Sequence, residues 1–157
     1  MKKKTSSPDS QASSSGDSAP LLRSLAEFRY QLRNFLQFSE QAAQELHLHP
    51  QQHQLLLQIA GAPEDACPTI AYAAERLGLR HHSVVALVDR SVAEMLLRRR
   101  EDPSDRRRVL LEITPKGQQI LATLSGHHAR ELRELGPRLT RSLKRIETAH
   151  LQKELAR

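Results

Sequence analysis

The sequence predicts a mostly helical α+β fold with one short β-hairpin and a long helix toward each end. Three observations predict it. Apolar residues repeat at helical spacing on both flanks of the chain. A short helix, a glycine and a second helix stand together around residue 78. Directly after them, two short strand-like runs enclose a polar turn. The length of 157 residues suits one domain, since domains run to about 150 residues.

Taken in order, residues 1–19 predict a disordered tail. Seven of the first eighteen residues are Ser, and Leu, Ile, Val and Phe are absent. Such a segment buries too little apolar surface to offset its ordering entropy. Residues 21–48 predict the first long helix. Leu21, Leu25, Phe28, Leu32, Phe35, Ser39, Ala42 and Leu46 alternate by four and three, which makes a one-sided seam. Pro50 suits the first turn of a second helix. That helix carries Leu55, Leu56 and Ile59 and ends near Gly61-Ala62-Pro63.

Thr69 is the expected N-cap of a short helix over 70–77, and Gly78 its C-terminal stop. A further helix is expected over about 81–95, with Val84, Leu87, Val88 and Val92 inward. Residues 96–100 and 109–114 predict two strands around the polar segment 101–107. After Pro115-Lys116-Gly117 helical periodicity returns through Ile120, Leu121, Leu124, His128, Leu132 and Leu135. Gly136-Pro137 is expected to break or kink it, with a last amphipathic helix beyond.

This order is a helix-turn-helix followed by a wing, an architecture whose second helix can enter the DNA major groove. The wing is basic. Residues 98–108 hold six Arg against three acids, where phosphates and the minor groove attract positive charge. The folded region is expected over 20–157, with its winged core at about 50–117 and the long helices at about 21–48 and 116–155.

Composition narrows the function. Lys+Arg is 24 and Asp+Glu is 18, a net charge of +6, which agrees with a polyanionic partner. Aromatic residues make up only 3%, which disfavours a stacking platform for single-stranded nucleic acid. The single cysteine, Cys67, excludes an internal disulfide and a multi-cysteine zinc site. No apolar run suits a membrane span, and the Lys2–Lys4 start lacks the apolar stretch of a signal peptide. A cytoplasmic protein with no membrane association is expected. There is no glycine-rich phosphate loop, no metalloprotease helix motif and no nucleophile with an evident base, so neither an enzyme nor a cofactor is expected.

Three segments carry a family resemblance. They are Thr69-x-x-x-Ala73-Ala74-x-x-Leu77-Gly78-Leu79, then Val84-x-x-Leu87-Val88-Asp89-Arg90, then Asp102-Pro103-x-Asp105-Arg106-Arg107-x-Val109-x-Leu111-x-Ile113-Thr114-Pro115-x-Gly117. Together they resemble the MarR (multiple antibiotic resistance regulator) family over about residues 21–150, most specifically in the wing. The resemblance implies a winged helix-turn-helix transcriptional regulator, a homodimer joined through the first and the last two helices. It implies a pseudo-palindromic double-stranded DNA operator. It also implies that Asp105 orients Arg107 into the minor groove, which suits a carboxylate–guanidinium fork. A repressor released by a small aromatic or lipophilic ligand is the implied mode of action.

On these grounds Thr69, Arg80, His82, Ser83, Arg90, Asp105, Arg106 and Arg107 are the candidate DNA-binding residues. Phe35, His53 and His128 are the candidate ligand-pocket residues, chosen because their helices are expected to face one another. The chain departs from the family pattern at three places. Ser91 and Met95 stand where Leu and Gly are usual, so a different helix end or wing angle is expected. Val85 and Ala86 replace polar or basic residues, which leaves contact with thymine methyls as their means of readout. Ala73 replaces a Leu, with Ile70 positioned to fill its space. These departures motivate an alternative role, a winged-helix protein-interaction module that has lost specific DNA binding. Non-specific architectural DNA binding is a third.

His47, His49 and His53 cluster across one helix turn, and His127 and His128 lie midway along a later helix. A histidine metal site is conceivable, but structural histidines are the simpler account, and no metal is assigned. Cys67 is expected to be a small, partly buried thiol rather than a redox centre.

Overall fold

The computed structural model describes residues 19–155. Five helices and one hairpin appear in the order α1 (Ala19–Glu45), α2 (Pro50–Ala60), α3 (Ile70–Leu77), α4 (His81–Ala93), β1 (Leu97–Glu101), β2 (Val109–Ile113) and α5 (Pro115–Leu155). This is the expected winged helix-turn-helix. Residues 1–18 of the Ser-rich segment lie outside the described residues, while Ala19 already belongs to α1. Among the described residues, no helix is long and apolar enough to cross a membrane.

The chain divides into two compact units. One comprises residues 36–131, and the other combines the described residues up to Phe35 with those from Leu132 onward. The core of the first unit joins Ala42, Leu48, Leu55, Leu56, Val84, Leu87, Val88, Leu96, Leu97, Leu111 and Leu124. The inward residues expected on 81–95 are therefore correct, with Val92 partly buried against the core.

Three helices end in the same way. Each closes on a left-handed residue followed by a leucine: His47 and Leu48 after α1, Gly78 and Leu79 after α3, Met95 and Leu96 after α4. In each, the leucine N–H donates back across the last turn: Leu48 to Ala43 O at 2.9 Å, Leu79 to Ala74 O at 3.0 Å, Leu96 to Ser91 O at 2.8 Å. This is the Schellman arrangement, which satisfies otherwise orphaned carbonyls. It stops α1 at Glu45, three residues before the expected end, because Leu48 turns into the core. It also answers the expectation raised by Met95. The methionine itself adopts the glycine conformation, at φ 59°, and the burial of Leu96 holds it there.

The hairpin pairs Leu97 with Ile113 and Glu101 with Val109, so the strands are displaced by one residue at most from the expected bounds. Thr114 starts α5. Its hydroxyl donates to Met95 O at 2.6 Å and accepts from Gly117 N at 3.1 Å. Pro115 follows at the first helical position, where its missing N–H costs nothing.

The expected break at Gly136-Pro137 does not occur, and α5 runs through it as one helix of 41 residues. The last two helices of the sequence reading are therefore one. Proline ordinarily clashes with the Cβ of the residue before it. Gly136 has none, and space is open around it.

Candidate nucleic-acid interface

Thr69 is the N-cap of α3, and its hydroxyl accepts from Tyr72 N at 3.2 Å. Gly78 closes that helix with φ 63°, so the turn into α4 is short. Arg80 is the N-cap of α4 but makes no side-chain cap bond. Its guanidinium is exposed, as are His82 and Ser83 in the first turn and Arg90 in the last. The opposite face of α4 is fixed by Val84, Leu87 and Val88 in the core. Ser91, where the family pattern has an apolar residue, is fully buried and donates to Leu87 O at 2.8 Å, so its hydroxyl is satisfied within the helix.

The wing arginines divide into two groups. Arg98 and Arg100, two residues apart on one face of β1, both bind Glu112 on β2, with Arg98 Nε at 2.9 Å. Their guanidinium groups hold the Glu112 carboxyl below the usual range, Arg100 most strongly. Arg99 reaches α4 and donates to Asp89 at 2.6 Å. These three brace the stem. Arg106 and Arg107 stand at the tip. The Arg107 side chain is 94% exposed, with its Nε 3.5 Å from Asp105 Oδ1. Asp105 Oδ1 also accepts from Arg107 N at 3.1 Å. The expected Asp105–Arg107 relation is present as a contact. Arg106 has no ionic partner among the described residues.

Sequence reasoning missed the inner ring of this loop. Asp102 is buried. Its Oδ1 accepts from Ser104 N at 2.8 Å and Ser104 Oγ at 2.7 Å, and its Oδ2 lies 3.0 Å from Arg108 Nε. The Ser104 hydroxyl is the first cause that holds the Asp102 carboxyl below its ordinary value. An Asx turn was legible in Asp102-Pro103-Ser104; the role of Arg108 had no local signal.

Of the candidate pocket residues, His53 and His128 stack with ring centroids 5.0 Å apart. Phe38 supplies an adjoining ring, edge-on to His128 at 5.9 Å. Phe35 is half-buried and belongs to the other compact unit. His53 is 2% exposed, and its Nδ1 has no hydrogen-bond partner. Burial, then the neighbouring His128, lowers its pKa to about 4. Burial also lowers that of His128.

His49 caps α2, accepting from Gln51 N at 3.2 Å through Nδ1. Among the described residues, no three His, Cys, Asp or Glu side chains gather as a metal site. Cys67 is exposed rather than partly buried, because it lies in the loop before α3.

Residues 48–108, the span from α2 to the wing loop, match the model of the MarR family. No curated protein matches the chain by sequence. Among solved structures, the fold is similar to that of the Staphylococcus aureus MepR–DNA complex. The identity there is 20%, coverage is 82% of this chain and 93% of that one, and the TM-score is 0.62. It is also similar to the apo form of MarR from Escherichia coli, with 23% identity, 82% and 90% coverage and a TM-score of 0.57. The transcriptional regulator Tm0710 from Thermotoga maritima shares the fold at 22% identity, 87% and 94% coverage and a TM-score of 0.57. The match to the MarR family model spans the helix-turn-helix and wing, and the fold found around it is the winged-helix fold of the MarR and MepR structures to which this chain is similar.

Proposed function

We propose that the chain is a homodimeric, sequence-specific regulator that binds a pseudo-palindromic operator as a repressor and is released by a small aromatic or lipophilic ligand. One observation carries the DNA-binding part: Asp105 holds Arg107 at the tip of an otherwise braced wing, with the Arg107 side chain 94% exposed. A fixed, exposed guanidinium suits the negative potential of a narrow minor groove. The first turn of α4, with Arg80, His82 and Ser83 exposed, is the proposed major-groove reader, and Arg90 and Arg106 are proposed phosphate contacts. The similarity of the fold to that of the MepR–DNA complex supports the DNA-binding reading.

The dimer is supported by the apolar seam. Leu25 and Leu32 on α1 and Leu132 and Leu143 on α5 are exposed in the single chain, and a second copy would cover them. Ligand release is supported by the stacked His53–His128 pair, of which His53 is buried, and by the similarity to MepR, a regulator of a multidrug efflux pump.

The test is selection of DNA by the purified protein from fragmented bacterial genomic DNA at two salt concentrations. An enriched palindrome that survives higher salt is the expected result. Binding that shares no sequence and collapses with salt would reduce the role to phosphate attraction. No binding at low salt would favour the protein-interaction module, which the apolar pair Val85 and Ala86 on α4 also suits.

A further inference from the structure

We infer that Arg108 is the positioning residue of the wing: it does not read DNA but sets where Arg107 points. The assignment rests on the DNA-binding role proposed above. Arg108 is the hub of the tip loop. Its Nε lies 3.0 Å from Asp102 Oδ2 and 3.7 Å from Asp105 Oδ2, and its Nη2 donates to Ser104 Oγ at 3.2 Å. Its backbone closes the same loop, with Asp102 N donating to Arg108 O at 3.1 Å and Arg108 N to Asp105 O at 2.8 Å. The two carboxylates it joins have different duties. Asp102 is buried and anchors the turn, while Asp105 uses its other oxygen to hold Arg107.

A second tie extends beyond the wing. Arg108 Nη1 donates to Cys67 Sγ at 3.4 Å, and nearby Leu111 N donates to Pro68 O at 2.7 Å. Cys67 and Pro68 lie immediately before Thr69, the cap of α3. One guanidinium thus links the tip that carries Arg107 to the loop that starts the helix-turn-helix. Only a planar fork with several donors can make these contacts together; an ammonium is a point donor on a flexible stem. The exposed charge at the tip is then left to Arg106 and Arg107.

The test measures binding of a fluorescent mixed-sequence duplex of about three helical turns across a salt series, with thermal unfolding of each variant alongside. The variants are Arg107→Ala, Arg108→Ala, Arg108→Lys and the double Arg107→Ala/Arg108→Ala. Arg107→Ala and Arg108→Ala are each expected to weaken binding about fivefold and to lower the salt slope by about one. The double variant is expected to lose no more than Arg107→Ala alone, since coupled residues are not additive. Arg108→Lys keeps the charge and is expected to fall with Arg108→Ala.

Additive losses with a slope lower by about two would show that Arg108 touches phosphate itself, and would overturn the inference. Wild-type binding by Arg108→Ala overturns it too, as does full binding by Arg108→Lys beside a weakened Arg108→Ala. Wild-type binding by Arg107→Ala is a different failure, that of the wing's proposed role in DNA binding.

Discussion

His53 and His128 lie face to face, with ring planes within 3° of parallel. Two protonated imidazoles cannot share that arrangement cheaply, and His53 is held neutral to about pH 4 in the fold. The unfolded chain takes up the proton near 6.5, the ordinary value. Stability from this group is therefore complete above pH 6.5 and drains away as the pH falls toward 4. The ceiling is about 3 kcal/mol. His53→Phe keeps a stacking ring and removes the proton. Its urea midpoint is expected to fall less than that of the wild type between pH 7 and 4.5. Parallel curves would sink the assignment.

Met95 occupies a left-handed position with its side chain 66% exposed. Glycine adopts that conformation without a Cβ penalty. Met95→Gly is expected to raise stability by about 0.5–1 kcal/mol, and Met95→Val to lower it, since β-branched residues resist positive φ. Denaturant midpoints check both. A destabilised glycine variant would mean that the methionine side chain makes stabilising contacts.

Gly117 packs the first turn of α5 onto the base of β1. A Cβ there would lie 2.4 Å from Leu96 O and 2.8 Å from Ile113 Cγ1. Neither the backbone oxygen nor the packed isoleucine can withdraw far. Gly117→Ala is expected to cost about 1–3 kcal/mol, read as a lower Tm. An unchanged Tm would show that the junction yields.

Leu32 is 40% exposed on the α1 seam, in line with Leu25 and Phe28. A charge there cannot be buried against a second copy without a large penalty. If the proposed homodimer forms through this seam, Leu32→Asp is expected to sediment as a monomer at micromolar protein where the wild type is dimeric, and to bind DNA more weakly. A variant that remains dimeric would place the interface elsewhere.

Much of the fold was legible because local chemistry and global packing agree. Thr69 caps, Gly78 stops, and the alternation of Val109, Leu111 and Ile113 sets the second strand. The Asp105–Arg107 contact was legible through a family resemblance, not through spacing. The end of α1 was not, since a histidine at a left-handed position carries no signal as strong as glycine. What stopped the helix was the burial of Leu48, a long-range effect.

The sequence by itself determined the order of the elements, the position of the turns and the concentration of arginine in the wing, because these depend on neighbours one to four residues apart. The tertiary structure decided which arginines are braced. Arg98, Arg99, Arg100 and Arg108 find carboxylates on other strands, helices or turns, and Arg106 and Arg107 are left at the tip, Arg107 against Asp105. It also brought His53 to His128, 75 positions apart in the chain, and carried α5 through Gly136-Pro137 without a break. Charge can be counted along a chain, but partners exist only once folding places distant groups within a hydrogen bond of each other.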